Sequence, residues 1–210
     1  HAAISVDSNY VVSAGGTSLY VWEMATGREL QRITAPGTAI LGLSFPAGNR
    51  RLLATVRLDR SPDSTVAVLF DLETSRELQR FPSEGTVGIQ QAEITPNGKF
   101  VVAIDLSGKS AQIFEVATDR ILHTLSLVEE DAKTGSVGAG VRIGFSPDSS
   151  QLVISGADRI TRLWEIQTGK QLGALTMPSS VYGLDLSPDG SHLLTCGGEV
   201  RLYDAAGNSF

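Results

Sequence analysis

The residues able to do chemistry in this chain are few and far apart. Histidine occurs three times, as His1, His123 and His192, and cysteine once, as Cys196. A metal site or a general base needs such groups to converge. His1 is terminal, His123 falls in an extended segment at 120–125, and His192 follows a turn at 187–190. Cys196 sits in an apolar run at 193–196, where a small buried residue is expected. No histidine stands beside it to activate a thiol. Gly108-Lys109-Ser110 looks like the end of a phosphate-binding loop, but that motif needs glycine where Ala103 stands. Residues 107–109 therefore read as a hairpin turn, and the glycines at 135–140 as a flexible connection. Asp148 and Asp189 could each ligate calcium, yet they recur at one place in a repeated Ser-Pro-Asp turn, so bracing the turn explains them more simply.

No catalytic set, metal site or cofactor site emerges, and the expectation is a protein that is not an enzyme and carries no cofactor. The formal net charge of −6 argues against generic nucleic-acid binding, which calls for a basic face. No apolar run approaches the roughly 20 residues of a membrane span, so neither nucleic acid nor membrane is expected as a partner. One cysteine excludes an internal disulfide and is compatible with a cytoplasmic location. The chain opens on His1-Ala2-Ala3 without an initiator methionine, which reads as a piece of a longer protein.

The elements that would position any site repeat. An aromatic followed by an acid occurs five times, as Trp22-Glu23, Phe70-Asp71, Phe114-Glu115, Trp164-Glu165 and Tyr203-Asp204, at spacings of 48, 44, 50 and 39 residues. Four of these pairs lead into similar turns, ATGREL at 25–30, ETSREL at 73–78, ATDRIL at 117–122 and QTGKQL at 167–172. Upstream of each aromatic lies a second turn, SPDS at 146–149 and SPDG at 187–190, with looser versions at 45–49, 95–99 and 6–9. Between the turns, Val, Ile, Leu and aromatic residues alternate with polar ones, the period of half-buried antiparallel strands. The fourth unit predicts strands at 141–146, 151–155, 160–166 and 170–175, with a tight hairpin at 156–159. No window holds a 3.6-residue period, so almost no helix is expected. Four short strands per ~40–50 residues is the blade of a β-propeller, here five repeats at about 1–34, 35–82, 83–127, 128–176 and 177–210 in a single all-β domain.

The unit resembles the WD40 repeat, in a divergent, bacterial-style form. The best match is Ser155-Gly156-Ala157-Asp158-Arg159-Ile160-Thr161-Arg162-Leu163-Trp164-Glu165, preceded by Phe145-Ser146-Pro147-Asp148. The Gly-His pair that usually opens the repeat is missing from all five. Other propellers with SPDG turns, TolB-like or lactonase-like, stay open as alternatives. The resemblance implies a hydrogen-bonded lock in each blade. Only the fourth repeat can be matched to it: Asp158 as hairpin acid, Trp164 as aromatic and Ser155 as hydroxyl, without the histidine. Trp22, Phe70, Phe114, Trp164 and Tyr203 would form the core between blades. The fifth repeat lacks room for a good fourth strand. Two readings follow, part of a larger ring or a small five-bladed ring.

The resemblance also implies a function. It is a protein-protein interaction scaffold, binding a protein or peptide partner, with further blades of the parent chain or self-association completing the ring. The expected binding face carries the hairpins between second and third strands and the loops leading into first strands. Irregularity concentrates there, in RLDRSPDS at 57–64 and the glycine-rich stretch at 128–140. Arg57, Asp59, Arg60, Arg142, Arg159 and Tyr182 are the expected partner-binding side chains. The alternative is a ligand-binding or hydrolytic propeller with a site in the central channel. The first strands offer it only Glu93, Arg142 and Asp185 as charges.

Overall fold

A computed structural model describes all residues except 6, 47–49, 82–87, 129–140, 157, 188 and 205–210. The 128–140 loop, apart from Val128, and the tail at 205–210 lie outside the described residues. Nineteen strands and one 3₁₀ turn (Pro62–Ser64) make up the described chain, in five antiparallel sheets.

The first sheet is β1 (Ala2–Ile4), β2 (Tyr10–Gly15), β3 (Ser18–Glu23) and β4 (Glu29–Thr34) in that order, and the second is β5 (Ala39–Ser44), β6 (Arg51–Arg57), β7 (Thr65–Asp71) and β8 (Arg76–Phe81). The third is β9 (Ile89–Ile94), β10 (Phe100–Asp105), β11 (Ser110–Glu115) and β12 (Arg120–Ser126). The fourth is β13 (Arg142–Phe145), β14 (Gln151–Ser155), β15 (Ile160–Glu165) and β16 (Gln171–Thr176). The fifth holds three strands among the described residues, β17 (Gly183–Leu186), β18 (His192–Cys196) and β19 (Val200–Asp204).

The chain falls into two compact units. One comprises His1–Leu106 with Phe114–Ile121, the other Ser107–Ile113 with Leu122–Phe210, so the boundary passes through β11 and β12. In the first unit, Val12, Leu19, Val21 and Ile33 pack on Leu52, Ala54, Val68 and Phe70 of the next sheet. Leu53, Leu69 and Phe81 then pack on Ala92, Val101 and Phe114, with the Phe81 and Phe114 rings 5.6 Å apart. In the second unit, Val153, Leu163 and Met177 pack on Val181, Leu193 and Tyr203. Within each unit neighbouring sheets thus bury faces on one another, and middle strands such as β6 and β10, apolar and buried at consecutive positions, supply both faces.

The turn between first and second strands is built the same way four times. The amide five residues on donates to a hydroxyl oxygen at Ser5 (2.9 Å), Thr95 (3.1 Å), Ser146 (2.9 Å) and Ser187 (2.9 Å). The same hydroxyl donates to Asp7, Asn97, Asp148 or Asp189 two positions on. Those hydrogen bonds hold the Asp7, Asp148 and Asp189 carboxyls below the usual range. The aspartates are turn braces. In the second sheet Phe45 stands at the position of that hydroxyl, and the preceding Ser44 Oγ accepts from the Ile94 amide on β9 (3.2 Å).

Candidate functional site

The partner-binding candidates fall on both units. In the first, Arg57 ends β6 with its Nε buried and without a hydrogen-bond partner among the described residues, and its carbonyl accepts the Thr38 amide (2.7 Å). Gly37 has φ +100°, and a Cβ there would stand 2.2 Å from the Arg57 oxygen, so only glycine lets the two segments approach. Asp59 is spent on its own loop. It accepts from the Ser61 amide (2.6 Å) and the Ser64 hydroxyl (2.5 Å), and these bonds hold its carboxyl low. Arg60 is exposed.

In the second unit three candidates stand at matching ends of neighbouring strands. Arg142 opens β13, where it pairs with Ser155 at the mouth of the 156–159 hairpin that carries exposed Arg159. Its Nε donates to the Tyr182 carbonyl (2.6 Å) and its Nη1 to the Val141 carbonyl (2.8 Å). The guanidinium therefore ties the start of the fourth sheet to the segment entering the fifth. The Tyr182 amide donates to the Cys196 carbonyl (2.7 Å), while its side chain stays 60% exposed.

Behind this end lies a buried ion pair. Asp158 Oδ2 accepts from Arg162 Nη2 (2.7 Å), and both side chains are 5% exposed. Asp158 Oδ1 also accepts the Ile160 amide (3.0 Å), closing the hairpin. A Cβ at Gly156 would lie 2.5 Å from that oxygen, so glycine makes room for the acid. Arg162 is the functional residue that sequence reasoning missed. It lies two positions before Trp164 on β15 and so shares its inward face. The buried Ser155 hydroxyl has no hydrogen-bond partner among the described residues.

Phe70 and Phe114 are 2% exposed, Tyr203 6% and Trp164 7%, all core, whereas Trp22 is half-buried and stacks on Tyr20. The histidines do not converge: His123 Nε2 meets the Gln167 carbonyl (3.0 Å), and Ser191 Oγ lies 2.6 Å from His192 Nδ1. His123 follows the 117–122 turn as Gln31 follows the 25–30 turn. Gln31 Nε2 donates likewise to the Leu72 carbonyl, so a fourth-strand side chain grips the next sheet's turn at two seams. Cys196 is exposed, contrary to the sequence expectation, because β18 turns Leu193 and Thr195 inward. Of the channel charges, partly buried Glu93 has its carboxyl raised by desolvation and Asp185 is exposed.

Comparison with known proteins adds the family. Residues 132–165 and 169–204 match the WD domain, G-beta repeat model. These are WD40 repeats. The WD40 match covers the fourth sheet with its Asp158–Trp164 segment and the fifth sheet through Asp204. Over 60 residues, 29% of the chain, it is 43% identical to eukaryotic translation initiation factor 3 subunit I of Phaeosphaeria nodorum, covering 18% of that protein. Over 85 residues, 39% of the chain, it is 32% identical to the same subunit of Aspergillus terreus, covering 25%. Over 222 aligned positions, 88% of the chain, it is 23% identical to cilia- and flagella-associated protein 52 of Sus scrofa, covering 35%. The chain thus spans about a third or less of the length of these relatives. WD40 repeats generally serve as scaffolds for protein interaction.

Proposed function

We propose that this chain is a non-catalytic WD40 scaffold that binds a peptide or protein domain on its hairpin and loop face, within a single propeller domain. The observation that carries the reading is the exposed Tyr182 side chain whose backbone is pinned by Arg142 and Cys196, with Arg159 exposed on the hairpin that follows Ser155, the ladder partner of Arg142. Aromatic and arginine side chains are the ones that anchor interfaces. Arg57 and Arg60 would contribute from the second sheet's loop, with Asp59 holding that loop in shape. Leu194, Val200 and Leu202 are exposed on one face of the fifth sheet.

The test is quantitative co-precipitation of this protein from its source cells. Tyr182→Ala with Arg159→Ala should reduce recovery of specific partners at least tenfold, equivalent to about 1.4 kcal/mol. A control pair on an outer strand, Arg80→Ala with Arg120→Ala, should leave recovery unchanged. Equal recovery from both variants would contradict the assignment of the face.

A further inference from the structure

We propose that Asn97 is a covalent modification site: it loses its side-chain amide to attack by the Gly98 nitrogen and becomes the aspartate that three sister turns already carry. Of the four asparagines in the chain, only Asn97 is followed by glycine. With no Cβ, Gly98 offers its backbone nitrogen unshielded to the neighbouring carboxamide. Gly98 has φ +69°, Asn97 is exposed, and both line a surface groove between the second and third sheets.

The reaction needs only water. Gly98 N bonds to Asn97 Cγ, the Cγ–Nδ2 bond breaks, and Nδ2 leaves as ammonia with the Gly98 amide proton. Water then opens the cyclic imide. Addition at Cγ restores the ordinary backbone and leaves a carboxylate on residue 97. Addition at the main-chain carbonyl carbon routes the backbone through the side chain, as isoaspartate.

The turn sets both the pace and the product. The Gly98 amide donates to the Thr95 carbonyl (2.8 Å), so attack waits for local opening. In the closed turn Asn97 Oδ1 accepts the Thr95 hydroxyl (2.9 Å) and the Lys99 amide (2.9 Å). Oδ1 of Asp7, Asp148 and Asp189 accepts the same two bonds, from the hydroxyl at 2.6, 2.6 and 2.5 Å and from the amide at 3.1, 3.0 and 3.0 Å. An aspartate at 97 keeps both bonds and puts charge on the acceptor, which strengthens them. The second oxygen of Asp7 and of Asp189 takes a donor from the side chain two positions on, Asn9 Nδ2 (2.8 Å) and Ser191 Oγ (2.7 Å). In the third sheet's turn that position is Lys99, a cation. Isoaspartate inserts a backbone carbon between Thr95 and Phe100, where the Phe100 amide must reach the Thr95 hydroxyl (3.1 Å), so the closed turn favours aspartate.

The test is peptide mapping by mass spectrometry after prolonged incubation of the protein in mildly alkaline buffer, native and in urea. The native chain should exchange amide for acid at Asn97 ahead of Asn9, with the α-aspartyl form the main product. In urea the reaction should run at least about tenfold faster, because the Gly98 amide is released, and should give mainly isoaspartate. Asn97→Asp should melt at or above the temperature of the unmodified protein. No conversion at Asn97 in the native chain, a native product that is mainly isoaspartate, or a lower melting temperature for Asn97→Asp would each overturn the proposal.

Discussion

Trp164→Ala is expected to cost about 3–5 kcal/mol of folding stability, the range for truncating a large buried aromatic, and to lower the melting temperature by roughly 10 °C at this chain length. The ring is 7% exposed and sits opposite Leu152 on β14, itself fully buried with Ile154. Losing it opens a cavity on the inward face of the fourth sheet, and the Arg162 guanidinium is left bordering that cavity. Trp22→Ala provides the internal comparison, because Trp22 holds the same repeat position but is only half-buried. Its truncation should cost clearly less. Differential scanning calorimetry of the two variants measures both. Equal losses would mean that the two rings are equally enclosed and that the packing order described here is wrong.

Asp158→Ala is expected to cost a similar amount, about 3–5 kcal/mol, because it leaves the Arg162 charge buried without a counter-ion. The same change removes the acceptor for the Ile160 amide and loosens the hairpin that carries Arg159. Arg162→Leu in the Asp158→Ala background should recover most of the loss, since replacing a buried pair by apolar groups is often neutral or stabilising. Urea unfolding of the two single variants and the double variant gives the coupling. A loss below about 1 kcal/mol for Asp158→Ala would mean that the pair behaves as a surface ion pair.

Much of this molecule was legible in the sequence, for a physical reason. The aromatic-acid pairs and their flanking turns recur, and a repeated turn must hold a repeated sheet. The strand predicted at 151–155 coincides with β14, and the one predicted at 160–166 runs one residue past β15. What escaped depended on neighbours distant in the chain. Gln31 reaches the Leu72 carbonyl of the next repeat, a contact that no local pattern announces. Cys196 reads as buried because it closes a small, mostly apolar run at 193–196, and alternation carries no phase when Leu193 and Leu194 are adjacent. The inward phase is set by the packing of Val153 and Met177 on Leu193 and Tyr203, which leaves Leu194 and Cys196 outside. Arg162 escaped because a charge on a strand reads as solvent-facing, although its spacing from Trp164 places it inward. Of the binding candidates, the Arg142–Tyr182 contact joins residues 40 positions apart and required the two first strands to lie side by side.

The most direct test of the scaffold account is site-specific photo-cross-linking of this protein in its source cells, with a benzophenone amino acid at Tyr182 and, separately, at outer-strand Leu78. The account expects a discrete cross-linked polypeptide from position 182 and none from position 78. Cross-links confined to position 78, or the same products from both, would contradict a binding face at the loop end of the sheets.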